Sequence, residues 1–164
     1  MFIASKHPKT KNKNYSLLLS QAQSLIEKES DMIANLSNIS ALLNDFFTEI
    51  NWVGFYLLKE NELVLGPFQG KPACTRIQIG KGVCGTAVKE NKTQIVHNVH
   101  EFIGHIACDS NSNSEIVVCL HFNNQVVGVI DIDSPLYSRF DEEDAEALEQ
   151  LSNLLSKIFK ESSL

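Results

Sequence analysis

Apolar residues recur at helical spacing in two stretches near the start of the chain. Tyr15 to Glu29 sets Leu18, Leu25 and Ile26 among Ser, Gln and Glu, which predicts an amphipathic helix. Ser30 is placed to cap a second helix over about Asp31 to Phe47, with Ile33, Leu36, Ile39, Leu43 and Phe47 on one face. The pattern then changes period. Trp52 to Leu58 is rich in Val, Phe and Tyr at strand length, Lys59 to Glu62 is a polar break, and Leu63 to Phe68 returns as a second strand. Pro67, Gly70 and Pro72 mark a loop, followed by a short strand over Thr75 to Ile79. Gly80-Lys81-Gly82 turns into a short helix, about Val83 to Asn91, and Thr93 to His97 reads as another strand. Asn98 to Ser114 is polar without a clear period, longer than a plain connection, and so reads as a functional loop. Two strong strands, Glu115 to Phe122 and Gln125 to Asp133, flank Asn123-Asn124, a pair that tolerates the positive φ of a tight hairpin. Asp141 to Asp144 then open a last helix running to about Lys160, with acids at its start and Lys157 and Lys160 at its end.

Consecutive hairpins between terminal helices predict an α/β domain of the α+β kind. Its mostly antiparallel sheet carries the helices on one face and a loop-covered cavity on the other. Residues 15–164 are expected to form this single domain, and residues 1–14 a basic tail carrying Lys6, Lys9, Lys11 and Lys13. A chain of 164 residues, 43% hydrophobic and 21% charged, suits one globular core. The net charge of −6 argues against binding to nucleic acid or an anionic membrane surface. No apolar run approaches the ~20 residues of a spanning helix, and no apolar segment follows the N-terminal lysines as in a secretory signal. A cytosolic location is therefore expected, where thiols stay reduced.

In that compartment four cysteines are buried fillers, metal ligands or redox catalysts. Cys119, between Val118 and Leu120 in an apolar strand, reads as a small buried hydrophobe. Cys74 follows Pro72 in a loop. Cys84 stands at a helix start, where backbone N–H groups favour a thiolate, and its reading as filler or reactive thiol stays open. Cys108, in the long polar loop, is the strongest candidate for a nucleophile. Its neighbour Asp109 would raise a thiol pKa, so activation has to come from elsewhere, with His105 the nearest candidate. His97, His100, His105 and Cys108 offer a rival metal set, but their spacing fits no common zinc pattern, and no metal is expected.

Asp131 and Asp133 alternate and share one face of a strand. The register set by Asn123-Asn124 brings Glu115 close to Asp133, so three acids gather at one end of the sheet. Such a cluster raises at least one pKa and suits a ligand cation or a proton donor, against the plainer reading of a solvated face. Trp52 and Tyr56, four apart on a strand, share a face as well and are either core or the wall of a small apolar or cationic site. The acidic run Asp141 to Glu149 reads as the exposed side of a helix.

These segments resemble the free methionine-R-sulfoxide reductase family, built on a GAF domain, over about Asn51 to Leu154. The resemblance rests on Asn51-Trp52-Val53-Gly54-Phe55-Tyr56, Gly66-Pro67-Phe68-Gln69-Gly70, Pro72-Ala73-Cys74 and Gly80-Lys81-Gly82-Val83-Cys84-Gly85-Thr86-Ala87. It extends through Gly104-His105-Ile106-Ala107-Cys108-Asp109, Ser112-Asn113-Ser114-Glu115-Ile116-Val117 and Gly128-Val129-Ile130-Asp131-Ile132-Asp133-Ser134. It implies that Cys108 attacks the sulfoxide sulfur, that Cys84 forms the main resolving disulfide, and that Cys74 is an alternative resolving cysteine. Glu115, Asp131 and Asp133 would hold the substrate, and Trp52 and Tyr56 would lie near its methyl end. The resemblance further implies a cytosolic homodimer recycled by thioredoxin, with no organic cofactor or metal. Cys119 departs from the family, where proline is expected. The alternative is a GAF module that binds a small ligand or senses redox state without turnover. A zinc-stabilised structural protein is a more distant one.

Overall fold

The computed structural model describes residues 13–104 and 109–160. Helix α1 (Tyr15–Ile26) is followed by α2 (Met32–Phe46), and both begin at capping side chains. The second cap is Asp31, whose carboxylate accepts from the Ala34 N–H at 2.8 Å, and not Ser30. Asp31 has the extended backbone of a cap residue, with its acceptor in reach of the first turn. Leu36, Ile39, Leu43 and Phe47 are buried as expected, but Ile33 is 52% exposed, because the buried stripe begins a turn later.

The strands are β1 (Trp52–Lys59), β2 (Glu62–Gly70), β3 (Arg76–Gln78), β4 (Gln94–Val96), β5 (Ser114–Phe122) and β6 (Gln125–Ser134). Helix α3 (Gly82–Glu90) lies between β3 and β4, and α4 (Glu142–Leu155) follows β6. Six strands form one sheet in the order β3-β2-β1-β6-β5-β4, with every described pairing antiparallel. The β5–β6 hairpin turns at Asn123 and Asn124, with φ of 51° and 62°, and it pairs Glu115 with Asp133. Pro67, expected in a loop, sits inside β2. It is tolerated there because β3 pairs only with Glu62 to Val64, and the β1–β2 register shifts opposite Phe55, leaving no ladder donor missing. The segment after β4 opens with a 3-10 turn, Val99–Glu101, and is tied back by Val99 N–H to Asn113 O and Asn113 N–H to Ser134 O.

Period-two alternation divides the sheet into two unlike faces. Val53, Phe55 and Leu57 of β1, Ile116, Val118 and Leu120 of β5, and Ile130 and Ile132 of β6 pack under α1, α2 and α4. The intervening residues, Trp52 and Tyr56, Val117 and Cys119, and Val129, face α3. Helix α4 closes the first face through a network the acidic run did not suggest. Asp144 is fully buried, not exposed. It receives the Tyr15 hydroxyl at 2.5 Å and the Asp141 N–H at 2.9 Å, and it lies 3.7 Å from the Arg139 guanidinium. Lys13, the first described residue, ion-pairs with Glu143 at 2.8 Å.

Candidate active site

The second face carries a cavity of about 540 Å³, counting space open to solvent. Its floor is the sheet. Trp52 stacks on both Tyr56 (5.9 Å between centroids, 26°) and Phe68 (5.3 Å, 16°), giving one aromatic wall. Gly54 makes that wall possible: a Cβ there would come within 2.4 Å of Phe68 Cβ and 2.7 Å of the Trp52 ring. The aromatics also hold the loop above them, since Trp52 Nε1 donates to Lys71 O at 3.1 Å and the Tyr56 hydroxyl to Cys74 O at 2.9 Å.

Glu115, Asp131 and Asp133 line the opposite side. Strand pairing places them there: Asp133 is opposite Glu115 on one flank and Trp52 on the other, and Asp131 is opposite Gly54. Glu115 and Asp131 are each only 6% exposed. Burial pushes the Asp131 carboxyl up to about 6, while its interaction with the Cys84 thiol and Glu115 pulls it the other way. Glu115 and Asp133 are raised well above the usual carboxylate range, by burial first and by the charge of Asp131 second. With Glu115 and Asp131 buried together and Asp133 half-buried beside them, the cluster keeps at least one proton at neutral pH. Asp131 Oδ1 is buried and has no hydrogen-bond partner among the described residues.

Helix α3 brings Cys84 over these acids. Gly85 allows the approach, because a Cβ there would stand 2.3 Å from Gln78 O. Cys84 Sγ lies 4.0 Å from Glu115 Oε1. The expectation that the helix start favours its thiolate is overturned. Burial, then the charges of Asp131 and Glu115, raise the thiol well above its ordinary pKa. A helix terminus stabilises an anion by about 1 kcal/mol or less at exposed sites, which does not match the loss of hydration beside two carboxyls. Cys84 is thus a free, buried thiol wedged against the acid cluster.

Cys74 sits half-buried in the loop held by Trp52 and Tyr56, and it is disulfide-bonded. Cys108 and His105 lie outside the described residues. Cys119 is a free thiol, 4% exposed, with its Sγ 3.3 Å from Ala87 O, and burial pushes it up to about 11. It packs among Val117, Val129 and Ala87, as the strand pattern indicates. Of the rival metal set, His100 pairs with Asn113 Oδ1 at 2.8 Å, while the only described group with ligand atoms gathered for an ion is Cys84, Glu115 and Asp131.

The cavity mouth was not legible in the sequence. Asp109 anchors it, accepting from Asn111 N–H at 2.9 Å and from Asn51 Nδ2 at 3.2 Å, with Lys71 Nζ 3.5 Å away. These contacts, the Asn111 N–H first, hold Asp109 below its usual pKa. Asn51 also donates to Ser112 Oγ at 3.0 Å, joining three segments distant in sequence. The Asp-x-Asn turn at residues 109–111 was the one local signal.

Comparison with known proteins agrees with this arrangement. The GAF domain family model matches residues 36–160. The free methionine-R-sulfoxide reductase of Escherichia coli is 52% identical over 90% of both chains. The solved structure of the Staphylococcus aureus enzyme in complex with substrate superposes with a TM-score of 0.87 at 59% identity, over 92% of this chain and 99% of that one. The Neisseria meningitidis free methionine-R-sulfoxide reductase, also in complex with its substrate, gives a TM-score of 0.90 at 44% identity over 98% of each chain. Fold, site and relatives agree: the chain belongs to the free methionine-R-sulfoxide reductase family of GAF-domain proteins.

Proposed function

We propose that this protein reduces free L-methionine-R-sulfoxide to methionine at the acid-lined cavity. The observation that carries this, beside membership of the family, is Asp131 Oδ1. A buried carboxylate oxygen without a partner calls for a donor from the ligand, and the α-ammonium of a free amino acid supplies one. A peptide-bound residue lacks that ammonium and would leave the acids unpaired in a closed pocket, which accounts for selectivity toward the free form. The stacked Trp52 and Tyr56 then receive the apolar end of the substrate.

In this reading Cys108 attacks the sulfoxide sulfur. A carboxylic acid of the cluster protonates the departing oxygen, which the raised pKa values of Glu115 and Asp133 suit at neutral pH. The oxygen leaves as water, a water molecule then adds to the Cys108 sulfur of the resulting sulfonium adduct, and methionine departs, so Cys108 has become a sulfenic acid and has taken the oxidation the substrate lost. Cys84, or alternatively Cys74, condenses with it, releasing water and forming a disulfide. Thioredoxin restores both thiols by exchange. Cys84 waits as a thiol beside Glu115, so a carboxylate is at hand to take its proton when it becomes the nucleophile. Thiol and acid chemistry balance the reaction with no organic cofactor or metal. A cytoplasmic homodimer completes the proposal. In keeping with that, no helix among the described residues is long and apolar enough to cross a membrane.

The test is NADPH consumption coupled through thioredoxin and thioredoxin reductase, comparing the R and S epimers. Turnover of the R epimer alone, abolished in Cys108→Ser, is the expected result. No turnover with reduced cysteines and an intact fold would favour a ligand-binding GAF module instead.

A further inference from the structure

We propose that the reduced cavity is also a binding site for a thiophilic divalent cation of the zinc class, held by Cys84 Sγ, Glu115 and Asp131, and that this cation and the substrate exclude one another. The three residues each offer one ligand atom, and these atoms lie within 4.8 Å of one another, all on buried side chains. Zinc–sulfur and zinc–oxygen bonds of about 2.3 and 2.0–2.2 Å place tetrahedral ligands about 3.4–3.6 Å apart. Cys84 Sγ and Glu115 Oε1 are already at 4.0 Å, so small side-chain rotations close the set. The second observation is independent of the cluster itself. Asp131 is 94% buried, lines the cavity, and its Oδ1 has no hydrogen-bond partner among the described residues.

One sulfur and two carboxylate oxygens select the ion. Magnesium and calcium require six or more oxygen ligands, whereas zinc, cobalt and cadmium accept a thiolate beside carboxylates. The fourth position faces the cavity, as in an open rather than a closed zinc site. Binding replaces the Cys84 S–H bond by a sulfur–metal bond and releases one proton to solvent, with no change of oxidation state. The same Asp131 oxygen serves the substrate ammonium, so occupancy by one removes the other. Bound metal would also hold the resolving thiol out of reach of a sulfenic acid. The exclusion of substrate rests on the reductase reading; the metal site itself does not.

The probe is cobalt(II), added to the full chain with all four thiols reduced, in a non-chelating buffer. One equivalent is expected to give a thiolate-to-cobalt charge-transfer band and tetrahedral visible bands. Cys84→Ser is expected to abolish the charge-transfer band, Asp131→Asn to weaken binding about tenfold or more, and Cys119→Ser to leave it unchanged. Absence of the band in folded, reduced protein overturns the proposal, as does its persistence in Cys84→Ser. In the coupled assay zinc is expected to raise the apparent KM for the sulfoxide, reversibly with a chelator. Inhibition that substrate does not relieve overturns the exclusion. A cobalt band in a protein that never turns over sulfoxide leaves the site standing and removes the reductase reading alone.

Discussion

The two faces of one sheet have opposite chemistry, although they are built from alternate residues of the same strands. Under α1, α2 and α4, β6 presents Ile130 and Ile132; toward the cavity it presents Asp131 and Asp133. One face is a mainly apolar core whose aliphatic and aromatic side chains gain by leaving water. The other buries two acids and a thiol that would each be better hydrated. The helical face therefore supplies the stability that the cavity face consumes, and substitutions on the two should separate stability from activity.

Phe55→Ala, on the helical face and fully buried, is the largest expected effect on folding. It should cost about 3–5 kcal/mol in chemical denaturation, with activity per folded molecule kept. Asp131→Asn, one strand over on the cavity face, should do the reverse. It is expected to lower kcat/KM about a hundredfold, chiefly through KM, because a buried charge pair with the ammonium is lost. Its stability at neutral pH should not fall. A loss of stability as large as that of Phe55→Ala would show that the faces are not divided in this way.

The pH dependence sharpens the same contrast. Asp131 is raised from its ordinary 3.8 to about 6 in the folded chain, so its contribution to stability is complete below pH 3.8 and is lost as pH rises through about 6. Over that window the ligand-free protein is expected to lose at most about 1.4 kcal/mol per pH unit from this group, and Asp131→Asn should flatten the slope. Affinity for the sulfoxide has the opposite sign and should strengthen through the same window, as the carboxylate that pairs with the ammonium forms. The smallest effect belongs to the helical face. Tyr15→Phe removes a hydrogen bond to buried Asp144 and should cost about 1–2 kcal/mol with no change in KM.

What the sequence disclosed follows from the range over which each signal acts. Period two and a turn of two asparagines were enough to set Glu115 opposite Asp133, and with them the floor of the cavity. The same alternation put Trp52 and Tyr56 together. Signals set by tertiary partners were silent or misleading. Asp144 reads as one more surface acid because Tyr15, its hydroxyl partner, is 129 positions away. Pro67 reads as a loop residue because the bulge that accommodates it depends on the pairing of β1. Cys84 stays open between filler and reactive thiol in the sequence because only its helix start is local, whereas the acids that oppose ionisation come from β5 and β6. The mouth, with Asn51, Lys71, Asp109 and Ser112, belongs to loops and has no period to find.

Trp52 is the chain's sole tryptophan, and it lies in the cavity wall between Tyr56 and Phe68. Its fluorescence is therefore a built-in optical reporter of the site alone, while circular dichroism in the peptide region is dominated by the helices on the far side of the sheet. Following both signals through one denaturant titration asks whether the two faces melt as a single unit or the cavity loosens first. The same emission, read at constant temperature while sulfoxide is added, records each docking event without any label.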